Sequence, residues 1–116
     1  MTKIIFVDKS ITVDELKKIA VEQYGDLIKA VVDVKQRIMA IGGEMHADEE
    51  QFLLEEGSSQ DDLWGINIYP LQPRDSWIEF DSMINIRPRQ GNRSRSVEGE
   101  TLQAKIKQIV NSLIKE

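Results

Sequence analysis

The chain has 116 residues, a formal net charge of −5, a hydrophobic fraction of 41% and no cysteine. These values predict a single domain, residues 1–116, in a reducing compartment, for which we predict the cytoplasm. The lack of cysteine excludes disulfides and thiolate metal sites, and the acidic charge argues against broad, non-specific binding to nucleic acid.

A strand and a helix are the first predicted elements. The apolar run Ile4–Val7 indicates a short strand and is too short for a signal sequence or a membrane span, so no membrane partner is expected. Thr12 and Glu15 have the spacing of a capping box, which begins a helix. Apolar residues then recur at steps of three and four up to Gly25, which ends the helix. They are Val13, Leu16, Ala20 and Tyr24.

Residues 28–42 fit two structures. Val31, Val32 and Val34 favour a strand, because branching at Cβ suits a pleated surface better than a helix. We predict a hairpin with strands near 28–34 and 37–42 that turns at Lys35-Gln36. The turn lacks the Asn-Gly signature, so a second helix stays open as the alternative.

The middle of the chain predicts a short helix and two strands. Asp48 with Gln51 resembles a helix N-cap, and Gly57 is the predicted end of that helix, whose Phe52 and Leu53 would face the core. A strand over Leu63–Tyr69 and a second over Trp77–Ile86 follow. In the second, period-two alternation puts four apolar side chains on one face. They are Ile78, Phe80, Ile84 and Ile86.

A last helix is predicted at about 101–114, from apolar residues spaced four, three and four apart. The element order β-α-β-β-α-β-β-α predicts an α+β fold, a mainly antiparallel sheet of about five strands with two to three helices on one face. The opposite face would be polar, either open to water or the floor of a cleft, and we favour open water. Its residues are Asn67, Tyr69, Glu79, Asp81 and Asn85.

The first candidate site follows the Gly42-Gly43 pair. In an extended chain Glu44, His46 and Asp48 point to the same side, and a histidine flanked by carboxylates can act as general acid or base. We predict His46 as the proton-transfer group, with Glu44 or Asp48 orienting it. The simpler alternative is that Asp48 caps the helix and His46 bonds locally. A divalent cation there is a weaker option, because the chain has no second histidine and no cysteine, so we predict no metal and no cofactor.

The second candidate site is the arginine loop, residues 87–95. Four arginines lie in nine positions without an acid, and each guanidinium can bind a phosphate through two parallel hydrogen bonds. Gly91-Asn92 would supply backbone N–H groups for an anion, and Asn67 completes the predicted ligand-binding set. The alternative is a solvated loop paired with the acidic half of the chain. The arginines are Arg87, Arg89, Arg93 and Arg95.

Two stretches carry a family resemblance, GGEMHADEEQFLLEEGSSQDDLWGIN (42–67) and INIRPRQGNRSR (84–95). They resemble the shared core of short, uncharacterised bacterial and archaeal proteins classed as a domain of unknown function. The resemblance covers about residues 10 to 113 and implies a complete small protein rather than a fragment. It joins His46, the DLWGIN strand and the arginine loop in one pattern, and it assigns no catalytic residue.

Two hypotheses of function follow. In the first, the protein binds a phosphate-bearing ligand or RNA through the arginine loop and cleaves it as a metal-independent endoribonuclease or toxin-like hydrolase, with His46 as acid and base. The alternative is a non-catalytic interaction module. In it, the acidic stretch 44–62 pairs with the arginine loop of a second copy in a homodimer, or each of the two segments meets a different protein partner. The two hypotheses differ in whether His46 and the arginine loop lie close together in space. We predict that His46 faces the arginine loop.

Overall fold

The computed structural model describes residues 3–116. Its strands are β1 (Ile5–Val7), β2 (Ile11–Thr12), β3 (Ile28–Asp33), β4 (Ile38–Ile41), β5 (Leu63–Ile68), β6 (Ile78–Glu79) and β7 (Ile114–Lys115). Its α-helices are α1 (Val13–Gln23), α2 (His46–Glu55) and α3 (Glu100–Leu113). Five strands form an antiparallel sheet in the order β1-β4-β3-β5-β6, and β2 pairs in parallel with β7. The α+β prediction with a five-stranded antiparallel sheet is confirmed.

The ambiguous residues 28–42 contain the predicted hairpin of β3 and β4 and not the alternative helix. The turn needs no Asn-Gly pair because Asp33 organises it. One carboxylate oxygen of Asp33 accepts the N–H groups of Lys35 and Gln36, both at 2.9 Å. Arg37 follows with a left-handed φ of +60°. The side chain of an aspartate at the strand end thus stabilises this turn in place of the usual Asn-Gly dipeptide.

Helices cover both faces of the main sheet. On one face α1 and α3 pack over the larger core, in which Leu16, Ile66 and Ile106 are fully buried. On the opposite face α2 packs over a smaller core around Val31 and Leu53. Two helices therefore share a face as predicted, and the third lies on the face that we expected to be open to water. Among the helices of residues 3–116, none is long and apolar enough to cross a membrane.

The helix α2 begins two residues before the predicted cap. Its N-cap is Met45, which makes no side-chain capping bond, and Asp48 lies exposed in the first turn. The prediction that Asp48 caps this helix is wrong, because the extended backbone that precedes a helix is adopted by Met45 instead. As a result, His46 is the first helical residue and Glu49 turns inward to a fully buried position.

The predicted strand over 77–86 is mostly wrong. Only Ile78–Glu79 pairs with β5, and Met83–Asn85 forms a 3-10 turn. The buried side chain of Asn85 takes the place of the missing strand: its Oδ1 accepts the Gly65 N–H at 2.8 Å and its Nδ2 donates to the Gly65 carbonyl at 2.9 Å. Once the strand has ended the alternation is lost, and Ile86 is 39% exposed.

Candidate functional site

A row of polar side chains crosses the sheet face under the start of α2. Lys29 of β3 is the register partner of Asn67 in β5, and Asn67 is the partner of Glu79 in β6. Strand pairing therefore places these three residues side by side, and α2 lies above them with His46. A cavity of about 230 Å³, here called the His46 cavity, opens at this place. It is lined by Lys29, Met45, His46, Ala47, Asn67, Asp81, Ser82, Met83, Ile84 and Arg95.

Asn67 is the most constrained residue of the cavity. Its Nδ2 donates to Glu79 Oε1 at 2.8 Å, and the Tyr69 hydroxyl donates to the same oxygen at 3.0 Å. Asn67 is only 8% exposed. Its side-chain Oδ1 is buried, yet it has no hydrogen-bond partner among the described residues. Buried polar atoms are normally paired, so this oxygen is an acceptor that can still take a hydrogen bond within the cavity.

His46 is held by the main chain of β5. Its Nε2 lies 2.8 Å from the Ile66 carbonyl oxygen, so Nε2 carries the proton and the lone pair of the neutral ring is on Nδ1. Burial lowers the pKa of His46, and the positive charge of Lys29 lowers it further. The hydrogen bond to Ile66, and a hydrogen bond from the charged ring to the Asn67 side chain, act in the opposite direction and do not outweigh burial. At neutral pH the ring is therefore uncharged and able to accept a proton.

The predicted carboxylate partners of His46 are wrong. Glu44 is exposed and outside the His46 cavity, where its main-chain oxygen accepts the Tyr24 hydroxyl at 2.6 Å. Asp48 is exposed in the first turn of α2. The expected side-by-side arrangement needed an extended chain, whereas the helix begins at His46 and rotates successive side chains apart. Within residues 3–116 no cluster of three metal-ligating side chains occurs.

Arg95 is the arginine that reaches the His46 cavity. Its Nε donates to Asp81 Oδ1 at 2.7 Å, and both residues line the cavity. The loop that follows β6 carries Asp81, and the arginine loop carries Arg95, whose main-chain oxygen accepts from Asn85 Nδ2 at 2.9 Å. His46 and one member of the arginine loop thus line the same concavity, held there by two different segments.

Arg87 makes hydrogen bonds within the protein and lies outside the His46 cavity. Its guanidinium lies 4.5 Å above the Trp64 ring and donates to the main-chain oxygens of Ile84, Gln60 and Leu63. These bonds use the donors that would hold a phosphate. They also join the arginine loop to the acidic stretch of the same chain, which accounts for part of the charge segregation without a second copy.

The anion nest predicted at Gly91-Asn92 is not available. Both N–H groups bond to carbonyls of the same loop, and the Asn92 amide donates to the Asn85 and Ser96 carbonyls. A nest does form at the next two residues, where Arg93 and Ser94 donate to Glu98 Oε2 at 2.8 and 2.7 Å. The side-chain hydroxyl of Ser94 lowers the pKa of Glu98 most, and the N–H groups of Arg93 and Ser94 lower it further. The loop therefore binds its own carboxylate, and Arg89 and Arg93 project to solvent.

Glu49 is a buried acid that the sequence did not single out. It is one of three consecutive acids, yet it is fully buried and its Oε2 accepts the Gly43 N–H at 2.8 Å. A Cβ at residue 43 would lie 2.8 Å from Glu49 Cγ, which explains the glycine there. Burial raises the pKa of Glu49 well above its ordinary value. Lys29 was also missed, and its signal was a lysine in a strand whose other residues before Asp33 are all apolar.

Replacing Glu49 by Gln is expected to make the free energy of unfolding less dependent on pH. Above the ordinary carboxyl pKa of 4.5, the unfolded chain releases a proton that the folded chain still holds, because burial has raised the folded-state pKa. The parent therefore loses about 1.4 kcal/mol for each pH unit between those two pKa values. Urea unfolding at several pH values from about 4.5 to about 8 measures the effect.

The exposed Glu55, on the same helix, supplies the control. Glu55→Gln should keep the pH dependence of the parent, because it replaces an exposed carboxyl and leaves the buried Glu49 in place. If Glu49→Gln and the parent lost stability in parallel as pH rises, Glu49 would not be held protonated by the fold.

The comparison with known families gives one match. The model of a family described as a protein of unknown function, DUF5674, matches residues 5–113. The chain belongs to this family. No curated protein and no solved structure matches the chain. Membership in DUF5674 supports the resemblance seen in the sequence and assigns no activity to the His46 cavity, so the function has to be argued from geometry.

Proposed function

We propose that this DUF5674 protein binds a small phosphate-bearing ligand in the His46 cavity. The observation that carries the proposal is the buried Oδ1 of Asn67, which accepts no hydrogen bond from the described residues while the His46 ring is neutral, in a cavity that is also lined by His46 and two cations, Lys29 and Arg95. A ligand that carries an oxyanion beside a hydroxyl fits both features. The oxyanion would face the cations, and the hydroxyl would donate to Asn67 after a small rotation of the amide.

The start of α2 supports an anion at this position. His46 and Ala47 line the cavity as the first two helical residues, and no side chain caps the helix. Free N–H groups and the helix dipole at such an end favour a negatively charged group. The helix has 10 residues, enough for an appreciable dipole.

Asp81 marks the position that the ligand oxyanion would take. Its carboxylate pairs with Arg95 at 2.7 Å, with both side chains about half exposed at the rim of the cavity. An exposed ion pair of this kind is worth about 0–1 kcal/mol, so a phosphate that makes two parallel bonds to the guanidinium can displace it.

His46 would supply the proton transfer in the hydrolase form of this proposal. A neutral imidazole whose Nε2–H is held by the Ile66 carbonyl can accept a proton at Nδ1 from a ligand hydroxyl. For an RNA substrate this hydroxyl would be that of the ribose. Of the four arginines only Arg95 lines the cavity, so we propose binding of a small ligand first and cleavage of RNA as its extension.

Titration with inorganic phosphate tests the proposal, with Arg95→Ala as the decisive variant. Loss of a charge-assisted hydrogen bond is worth about 1.5–3 kcal/mol, so phosphate affinity is expected to fall by about ten- to a hundredfold. Asp81→Asn should increase the affinity, because it removes the carboxylate that competes for Arg95. Isothermal titration calorimetry at fixed ionic strength measures both effects.

Arg93→Ala is the matched control. Arg93 lies in the same loop, projects to solvent and does not line the cavity, so its removal changes the net charge equally without touching the site. Its phosphate affinity should stay within about twofold of the parent. Equal losses in the two arginine variants would mean that phosphate responds to charge alone, and the proposed site would be rejected.

A further inference from the structure

A second recess lies directly beside the His46 cavity. It has a volume of about 450 Å³, and Met83 and Ile84 line both cavities. The recess, here called the Glu50 recess, is bounded by α2 on one side and the arginine loop on the other. Its remaining lining residues are Glu50, Gln60, Asp61, Ile86, Arg87, Pro88, Arg89 and Gln90.

The sizes of the two cavities indicate that they serve one ligand. Pockets for small organic ligands usually measure about 300–1,000 Å³. The His46 cavity, at about 230 Å³, falls below that range and suits a phosphate-sized group, whereas the Glu50 recess lies within it. A ligand with a phosphate in the first cavity therefore has room to place its larger part in the second.

The lining of the Glu50 recess favours a flat, apolar group that carries N–H donors. Met83 and Ile86, which are 66% and 39% exposed, line the recess and form an apolar shelf. Beside the shelf, Oε2 of Glu50 is a buried oxygen without a hydrogen-bond partner among the described residues. The nearest cation, Arg87 Nη2, is 3.8 Å away, too far for a hydrogen bond. The Glu50 carboxylate thus forms an ion pair with Arg87, while its Oε2 accepts no hydrogen bond from the described residues.

We propose that the ligand is a nucleoside monophosphate whose base carries an amino group, an inference that rests on phosphate binding in the His46 cavity. The phosphate lies between Arg95, Lys29 and the start of α2, the base lies on Met83, and its amino group donates to Glu50. His46 and Glu50 are four residues apart on α2, about 6 Å along the axis, which a pentose bridges. The pentose hydroxyls then lie beside Asn67.

Pairs of nucleotides that differ in the exocyclic group of the base, and in the proton on the adjacent ring nitrogen, test the base contact. AMP carries an amino group where IMP carries a carbonyl, and CMP carries an amino group where UMP carries a carbonyl. AMP and CMP are expected to bind about ten- to a hundredfold more tightly than IMP and UMP, the value of a hydrogen bond to a charged acceptor. Glu50→Gln offers an amide in place of the carboxylate, so it should remove most of this preference, whereas the exposed Glu55→Gln should retain it.

Methionine methyl groups report where each probe binds. Met45 lines the His46 cavity, Met83 lines both cavities, and Met39 is buried in the core on the opposite sheet face. In carbon-labelled methyl spectra, inorganic phosphate should shift mainly Met45, and AMP should shift Met45 and Met83 strongly. Met39 should stay unchanged with both.

The outcomes separate this inference from the proposed function. If inorganic phosphate binds and is weakened by Arg95→Ala, but each nucleotide pair binds equally tightly, the nucleotide inference is wrong and the phosphate site stands. If a nucleotide preference exists and Glu50→Gln leaves it intact, the base is not read by Glu50 and the inference is also wrong. If neither phosphate nor any nucleotide binds, both proposals are wrong.

Discussion

Replacing Asn85 by Ala is expected to lower the free energy of unfolding by about 3–5 kcal/mol. Asn85 is fully buried, and its amide forms three hydrogen bonds of 2.8–2.9 Å, two with the Gly65 main chain and one with the Arg95 carbonyl. Truncation leaves the Gly65 N–H and the Gly65 carbonyl without partners, each worth about 1–3 kcal/mol when buried, whereas the Arg95 carbonyl keeps its bond from the Ser82 N–H. Urea denaturation of the parent and the variant measures the loss.

The same variant should also disturb the His46 cavity, because Asn85 ties the segment that carries Met83 to the backbone of Arg95. The control is Asn111→Ala, which removes an exposed asparagine bonded to Arg74 and should change stability by less than about 0.5 kcal/mol. An Asn85→Ala protein within about 1 kcal/mol of the parent would mean that water or a shifted backbone satisfies Gly65, and that the amide does not hold this edge of the sheet.

Replacing Ile106 by Ala is expected to cost about 2–5 kcal/mol, the range for a buried large-to-small change. Ile106 is fully buried in the larger core, where α3 lies over the main sheet. The substitution removes apolar surface and leaves a cavity that the sheet cannot close. A melting experiment should show a clear decrease in Tm with an unchanged helix content in the folded state.

Lys105→Ala, on the neighbouring exposed position of α3, is the matched control. It keeps the helix propensity nearly constant and removes no core contact, so a change within about 0.5 kcal/mol is expected. If Ile106→Ala melted like Lys105→Ala, the packing of α3 on the sheet would be incorrect.

The sequence predicted those elements whose stability is local. The capping box of Thr12 and Glu15 is present, with Thr12 Oγ1 accepting the Glu15 N–H at 3.1 Å, and α3 lies within one residue of the predicted range. The hairpin of β3 and β4 follows from β-branched residues in the same way. Each of these features depends on residues three or four apart or on alternation along one strand, which a sequence displays directly.

The sequence did not predict where β6 ends, because the strand is replaced by hydrogen bonds between Asn85 and Gly65, two residues that are distant in the chain. The alternation from Ile78 to Ile86 is that of a strand, yet Asn85 takes the hydrogen bonds of Gly65 through its side chain. A Cβ at residue 65 would lie 2.6 Å from Ser82 Cβ, so the absence of a side chain at Gly65 lets the two segments approach closely. Such an approach has no signature in either segment alone.

The candidate site was predicted in part. His46, Asn67 and Arg95 were singled out from the sequence, and they line one cavity. Glu44 and Asp48 were paired with His46 on the assumption of an extended chain, and the helix that begins at His46 separates them. The other arginines looked equivalent in sequence, but only the tertiary contacts distinguish Arg87, packed on Trp64, from the exposed members of the loop.

By itself the sequence determined the α+β class, the positions of the main elements and the residue types from which a site could be built. The tertiary structure decided which side chains meet. Strand register placed Lys29 beside Asn67, and packing of α2 on the polar face enclosed them under His46. The physical reason is the range of the interactions involved. Helix and strand preferences act between near neighbours in the chain, whereas burial, desolvation and unpaired polar atoms depend on segments that come together only when the whole sheet has formed.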